Sequence, residues 1–126
     1  MAMKTELRAV LLAACTALAF AWGGAHAQEV PVVTGQPWPT SPEPVKKAYL
    51  IGIANAVQVE RAYAGNNPPT DAQSVFPRLS RGMRGQTLDT VRAALDAYYA
   101  KNPDKLGRPV IETIWFEIVV PGLNKP

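Results

Sequence analysis

Apolar and polar positions alternate in distinct ways along the chain, and each stretch predicts a different element. Ala9 to Trp22 is almost entirely apolar. It follows a start containing Lys4 and Arg8 and precedes Ala25-His26-Ala27. A basic start, a short apolar middle and a small-x-small exit predict a cleaved export signal over residues 1–27. About 14 apolar residues fall short of the roughly 20 that a spanning helix needs, so no membrane span is expected. Leu12-Ala13-Ala14-Cys15 resembles a lipoprotein cleavage box, but the apolar run continues past Cys15. That favours cleavage after Ala27 over lipid anchoring.

Residues 28–44 hold Pro31, Pro37, Pro39, Pro42 and Pro44. Each proline fixes φ and removes a donor, so this segment reads as an irregular arm. Trp38 lies in it with two readings. It tacks the arm onto the domain edge, or it is an exposed anchor for a partner.

Val45 to Ala64 reads as the first helix. Ser41 followed by Pro42 suits a cap and a first turn. Val45, Tyr49, Ile53, Ala56 and Val57 recur at helical spacing, and Leu50, Ile51 and Ala54 fill the other side. Only Asn55 is polar between Ala48 and Val57, which predicts a central helix buried on most faces. Gly52 weakens the helix, and close approach of a second helix is the expected reason. Gly65 and the Asn66-Asn67-Pro68-Pro69 run stop it.

Thr70 to Gln86 reads as a long connection pinned by Val75 and Phe76. Its Arg78-Leu-Ser-Arg-Gly-Met-Arg-Gly run places Arg78, Arg81 and Arg84 close together. Such a run suits an acidic surface, or it is a solvated loop. The spacing of a phosphate loop is absent.

Thr87 to Lys101 is the clearest helix, with Thr87 as cap and Leu88, Val91, Leu95, Tyr98 and Tyr99 as its apolar stripe. Arg92 stands between Asp89 and Asp96, so the two acids read as surface ion-pair partners and not as a catalytic carboxylate pair. Asn102-Pro103 ends the helix.

Pro109 to Val120 carries Val110, Ile111, Ile114, Trp115, Ile118 and Val119 at helical spacing, with Glu112, Thr113 and Glu117 opposite. The β-branched composition pulls toward a strand. Adjacent Glu112 and Thr113 break strict alternation, so a third helix is predicted. Phe116 falls on the polar side, as a second packing surface or an interface residue. The sum is an all-α, single-domain bundle over residues 45–122: three main helices plus short helical turns, behind a Pro-rich arm.

Composition narrows the chemistry. The chain has 126 residues, 13 Lys+Arg, 10 Asp+Glu, one His and one Cys. His26 and Cys15 both lie in the expected signal. The 99 residues that follow have neither, which excludes a Ser-His or Cys-His nucleophile pair, the usual zinc ligand sets and any disulfide. No cofactor is expected. Those residues hold 11 basic and 9 acidic side chains with scattered signs, which is not a nucleic-acid footprint. Glu60, Glu112 and Glu117 are the carboxylates an enzyme would have to use, and Ser41, Ser74 and Ser80 have no Lys at a catalytic spacing. An enzyme is therefore disfavoured.

Tyr49-Leu50-Ile51-Gly52-Ile53-Ala54-Asn55-Ala56 resembles the Tyr-Ile-x-Gly-Val-x-Asp-Ala signature of the Rap/Tai immunity proteins, small exported helical proteins tied to type VI secretion. Phe76-Pro77 stands where that family has Cys-x-Pro. Gln86-Thr87-Leu88 with Val91 and Tyr99 resembles its central helix. Asn102-Pro103-Asp104-Lys105-Leu106 resembles its His-Pro-Glu turn, and Val119-Val120-Pro121-Gly122 its closing Phe-Pro-Cys. The resemblance spans about Val45 to Gly122. The family's cysteines are absent, with Lys46, Phe76 and Gly122 in the corresponding stretches. A disulfide contributes ~2–4 kcal/mol, so denser packing around Trp115, Phe76 and Tyr99 is expected to replace it.

The resemblance implies a periplasmic binding protein that sterically blocks a peptidoglycan amidase effector with a Cys-His groove. It also implies a homodimer. Arg78, Arg81 and Arg84, with Asn66 and Asn67, are the expected partner contacts. Phe116 and Trp38 are the expected dimer or partner anchors. The alternative is a general envelope accessory or chaperone-like protein without an amidase partner.

Overall fold

A computed structural model describes residues 29–126. The expected signal, including Cys15 and the lipidation question, lies outside the described residues. Helices α1 (Glu43–Ala64), α2 (Phe76–Gly82) and α3 (Leu88–Lys101) are followed by a 3-10 turn at Pro103–Lys105. The chain ends in α4 (Val110–Ile114), a π turn at Trp115–Val119 and α5 (Val120–Leu123), which run on without a break. The class is all-α. Extended pairing among the described residues is a single bridge, Thr34 with Pro109.

α1 starts at Glu43, two residues before the expected position, and its first turn carries Pro44 where no N–H is required. Ser41 does not cap it. The Ser41 hydroxyl donates instead to the Pro37 carbonyl at 2.6 Å and closes a turn within the arm. Gly65 ends the helix at a φ of 51°, in the left-handed region.

The expected burial of α1 is corrected. Leu50 alone is buried on this helix, while Val45, Ile51, Val59 and Tyr63 are exposed. Charge sets the rotation. Lys46 and Lys47 turn inward to Asp96 and Asp89 on α3, at 2.8 and 3.0 Å. The opposite, apolar face is left outside. Gly52 lies on that face with open space around it, so none of the described helices approaches there.

The segment read as a connection contains α2, a second correction. Leu79 and Gly82 are its buried residues. A Cβ on Gly82 would strike the Val119 carbonyl, and one on Gly122 would strike the Gly82 carbonyl. The two glycines thus let α2 and α5 touch backbone to backbone. Periodicity cannot reveal a helix this short, and its glycines and arginines imitate loop composition.

α3 agrees with its pattern. The Thr87 hydroxyl accepts from the Thr90 N–H at 3.1 Å, and Thr90 returns the bond to complete a capping box. Val91, Leu95 and Tyr99 are buried. The C-terminal segment is helical, as its spacing predicts, with Val110, Ile114, Ile118 and Val119 buried. Thr113, expected on the wet side, is also fully buried. Its hydroxyl donates to the Pro109 carbonyl and meets the Tyr99 hydroxyl at 3.0 Å.

Trp38 joins this core and is 3% exposed, so it is corrected from an exposed anchor to a packed residue that fastens the arm. Its ring meets Tyr49 edge-on, and the Lys46 ammonium lies 5.6 Å from its centre. Of the three residues expected to compensate for missing disulfides, only Tyr99 is buried. Phe76 and Trp115 are half-buried at the rim of a groove.

Candidate protein-binding surface

α2 separates two adjoining depressions. One is a cleft of about 240 Å³ between α2 and the end of α1, lined by Glu60, Arg61, Gly65, Pro68, Ser80 and Arg81 among others. The other is a wider apolar groove of about 450 Å³ between α1, α2 and α4. Ile53, Ala56, Val75, Ile111, Trp115 and Phe116 line it. Phe76 lines both, so cleft and groove adjoin at this side chain.

The expected contact residues divide. Arg81 lines the cleft, exposed, and pairs with Asp71 at 2.8 Å. Asn66 and Asn67 are exposed immediately after the cleft-lining Gly65. Their turn is closed by the Asn67 N–H to the Ala64 carbonyl at 2.8 Å. Arg84 is exposed beyond α2 and lines neither depression. Arg78 is half-buried. Its guanidinium lies 5.1 Å from the Trp115 ring centre, and its Nε is enclosed without a partner. Arg78 therefore packs the back of the groove wall, and the three arginines do not form one patch.

Phe116 is 52% exposed on the groove rim, as its polar-side position predicts. The Arg108 guanidinium lies 5.3 Å from its ring centre. Arg108 also donates to Glu112 at 3.1 Å, Glu117 at 2.9 Å and the Tyr98 hydroxyl at 2.7 Å. Burial works against the Arg108 charge, yet the hydrogen bonds to Glu117, Tyr98 and Glu112 outweigh it and raise the pKa above its ordinary value.

Sequence reasoning missed Arg108, Arg61, Ile111 and the exposure of Val75. Arg108 had a weak signal, since it stands just before the predicted helix with Glu112 four residues on, in its first turn. The outward turn of Val75 had none, because the connection was read without α2.

Of the carboxylates weighed for chemistry, Glu60 lines the cleft and the others are placed in ion pairs. Arg108 holds Glu112 and Glu117, and Arg92 bonds Asp96 at 3.0 Å where α3 faces α1 and the arm. Among the described residues no three acidic, His or Cys side chains gather as a metal site. No helix among them is long and apolar enough to cross a membrane. No protein-family profile matches the chain, nor does any curated protein or solved structure.

Proposed function

We propose that this chain is an exported binding protein that acts by occlusion, in the manner of the Rap/Tai immunity proteins that block a peptidoglycan amidase. The observation that supports this most is the surface around α2, where the two depressions adjoin. It joins an open apolar groove rimmed by Phe116, Val75 and Ile111 to a cleft edged by Arg61 and Arg81. Exposed aromatic and aliphatic groups beside guanidinium groups are the usual composition of an interface centre. Inhibition by occlusion needs shape and charge only, and requires no nucleophile or metal from the inhibitor.

On this reading, Phe116 and Ile111 seat against apolar positions at the rim of the amidase groove. Arg61 and Arg81 face acidic positions beside it. The Arg81–Asp71 pair is exposed on both sides and opens at little cost, since such pairs contribute about 0–1 kcal/mol. The test uses the purified protein and an amidase effector encoded next to it. Loss of peptidoglycan cleavage on mixing, with co-elution of the two proteins, is the expected result. Unchanged cleavage and separate elution reject the proposal.

A further inference from the structure

α1 turns one row toward α2 and α3: Leu50, Ile53, Val57, Gln58 and Arg61, at helical spacing. Between the three helices this row lines a pocket of about 220 Å³. Ile53 and Leu79 stand between it and the apolar groove, and Arg61 between it and the cleft. Its floor is the core itself, made of buried Leu50, Leu79, Val91 and Ile114. Gln58, Arg61, Thr87 and Leu88 are exposed at its mouth. Half-buried Met83 lines one side, and its flexible thioether adapts to the shape of a guest.

The charge at the mouth is one-sided. Gln58 and Arg61, three residues apart on α1, bring an amide and a guanidinium to the same edge. No acidic side chain lines the pocket, and Glu60 lines the cleft instead. Among the described residues Arg61 enters no ion pair. An apolar floor with an unpaired cation at the entrance is complementary to an apolar chain that ends in one anion.

We propose that this pocket binds a free medium-chain carboxylate, with its tail on the core floor and its carboxylate on Arg61. The head group follows from charge. A guanidinium meets a carboxylate with two parallel N–H donors, the Gln58 amide adds a further donor, and an amine at the same place would be repelled. The tail follows from size. An apolar cavity of about 150 Å³ takes a benzene-sized guest, so one of about 220 Å³ takes a chain of roughly six to ten carbons. An apolar void left empty against the core weakens a domain, and a bound tail removes that penalty.

The ligand is a small amphiphile and not a protein, so the site does not depend on the amidase reading. The two meet at Arg61, which also edges the cleft. A bound carboxylate would neutralise one of the two guanidinium groups that face the effector there.

The experiment is calorimetric titration of the purified protein with hexanoate, octanoate, decanoate and dodecanoate, each below its micelle concentration. The expected result is one site per chain. Affinity should rise about three- to fourfold for each methylene up to decanoate and level off at dodecanoate, where the pocket is full. Decanol and decyltrimethylammonium carry the same tail with a neutral and a positive head, and should bind about tenfold or more weakly. Arg61→Gln should weaken decanoate about tenfold and leave decanol unchanged. Arg84→Gln loses the same charge outside the pocket and should change neither. Ala54→Phe fills the pocket from α1 and should abolish binding, with helix content checked by circular dichroism. Arg61 is exposed, so Arg61→Gln tests the head-group contact even where Ala54→Phe does not fold. No binding at any chain length, equal affinity for decanoate and decanol, or binding unchanged in Arg61→Gln overturns the proposal. Attachment to phosphatidylglycerol vesicles without affinity for the soluble carboxylates overturns it too. A pocket that refuses every carboxylate, and whose filling by Ala54→Phe abolishes a protein complex, belongs to a partner's side chain, which is equally fatal.

Discussion

Trp38 and Asp96, 58 positions apart, are joined by a 2.9 Å hydrogen bond from the indole N–H to a carboxylate oxygen. The same oxygen accepts from Lys46 at 2.8 Å, and its partner oxygen accepts from Arg92 at 3.0 Å. One carboxylate thus links the N-terminal arm, α1 and α3. Burial alone pushes the Asp96 carboxyl upward, but the bonds from Lys46 and Trp38 and the charges of Lys46 and Arg92 hold it below the usual carboxylate value.

Acid therefore weakens this junction. A depressed folded-state value means the stabilisation is present above the unfolded aspartate pKa and is lost as pH falls through the folded value. The expected outcome is a urea midpoint that holds from neutral pH to about pH 5 and declines as pH falls through ~4 and below, with Trp38 among the fluorescent reporters. In Asp96→Asn the decline is shallower, and stability at neutral pH is lower by about 1.5–3 kcal/mol, the cost of losing hydrogen bonds to a charged group. An unchanged acid slope in that variant refutes the assignment.

A buried polar pair less than one turn further along α3 gives a second prediction. The Tyr99 hydroxyl lies 3.0 Å from the Thr113 hydroxyl and 3.2 Å from the Arg108 carbonyl, with both side chains essentially inaccessible. Tyr99→Phe removes the hydroxyl that meets Thr113 and the Arg108 carbonyl, which keeps its bond from the Gly35 N–H at 3.0 Å, and should cost about 1 kcal/mol in denaturant unfolding. Thr113→Val removes the second partner. Because the two groups share one bond, the double variant should cost less than the sum of the singles. Strict additivity counts against the contact.

Close backbone packing makes Gly82 sensitive. In Gly82→Ala the new methyl meets the Val119 carbonyl and side chain, and neither retreats without shifting the C-terminal helix. A loss of about 1–3 kcal/mol is expected. Gly85 has a φ of 80° and open space around it, so replacing it by alanine costs conformational strain of about 1 kcal/mol without any clash. Thermal unfolding of the two variants separates the mechanisms, because a further enlargement to valine worsens position 82 much more than position 85.

How much of this was legible follows residue by residue. α3 was readable because its cap, apolar stripe and proline stop agree, and Thr87 does the work its type predicts. The C-terminal helix was readable from spacing alone, yet Thr113 was placed on the wrong side. A threonine satisfies its hydroxyl on its own helix, here at Pro109, and so enters a core that a glutamate cannot. α1 was readable as a helix but not in its rotation. With apolar residues almost all round, the decision passed to Lys46 and Lys47, whose partners on α3 lie about 40 to 50 positions away, although Lys47 also pairs with Glu43 on its own helix. The groove was illegible because one of its walls comes from α2, which the glycine-rich composition hid.

The last prediction concerns that groove and separates binding from folding. Phe116 is half exposed and Arg81 is exposed, so neither carries the core. Phe116→Ala gives up its contact with the Arg108 guanidinium, but Arg108 keeps Glu112, Glu117 and Tyr98. Arg81→Glu gives up an exposed pair with Asp71 and sets two like charges side by side. Each should change unfolding stability by no more than about 0.5–1 kcal/mol. If the α2 surface engages a partner as proposed, each should weaken that complex by about 1–3 kcal/mol, tenfold or more in affinity, as loss of an aromatic or arginine contact near an interface centre does. Calorimetric titration of an amidase effector with each folded variant measures this. Arg84→Glu, outside both depressions, serves as the control for net charge. Equal weakening by Arg81→Glu and Arg84→Glu would mean that long-range charge, and not the cleft, governs recognition.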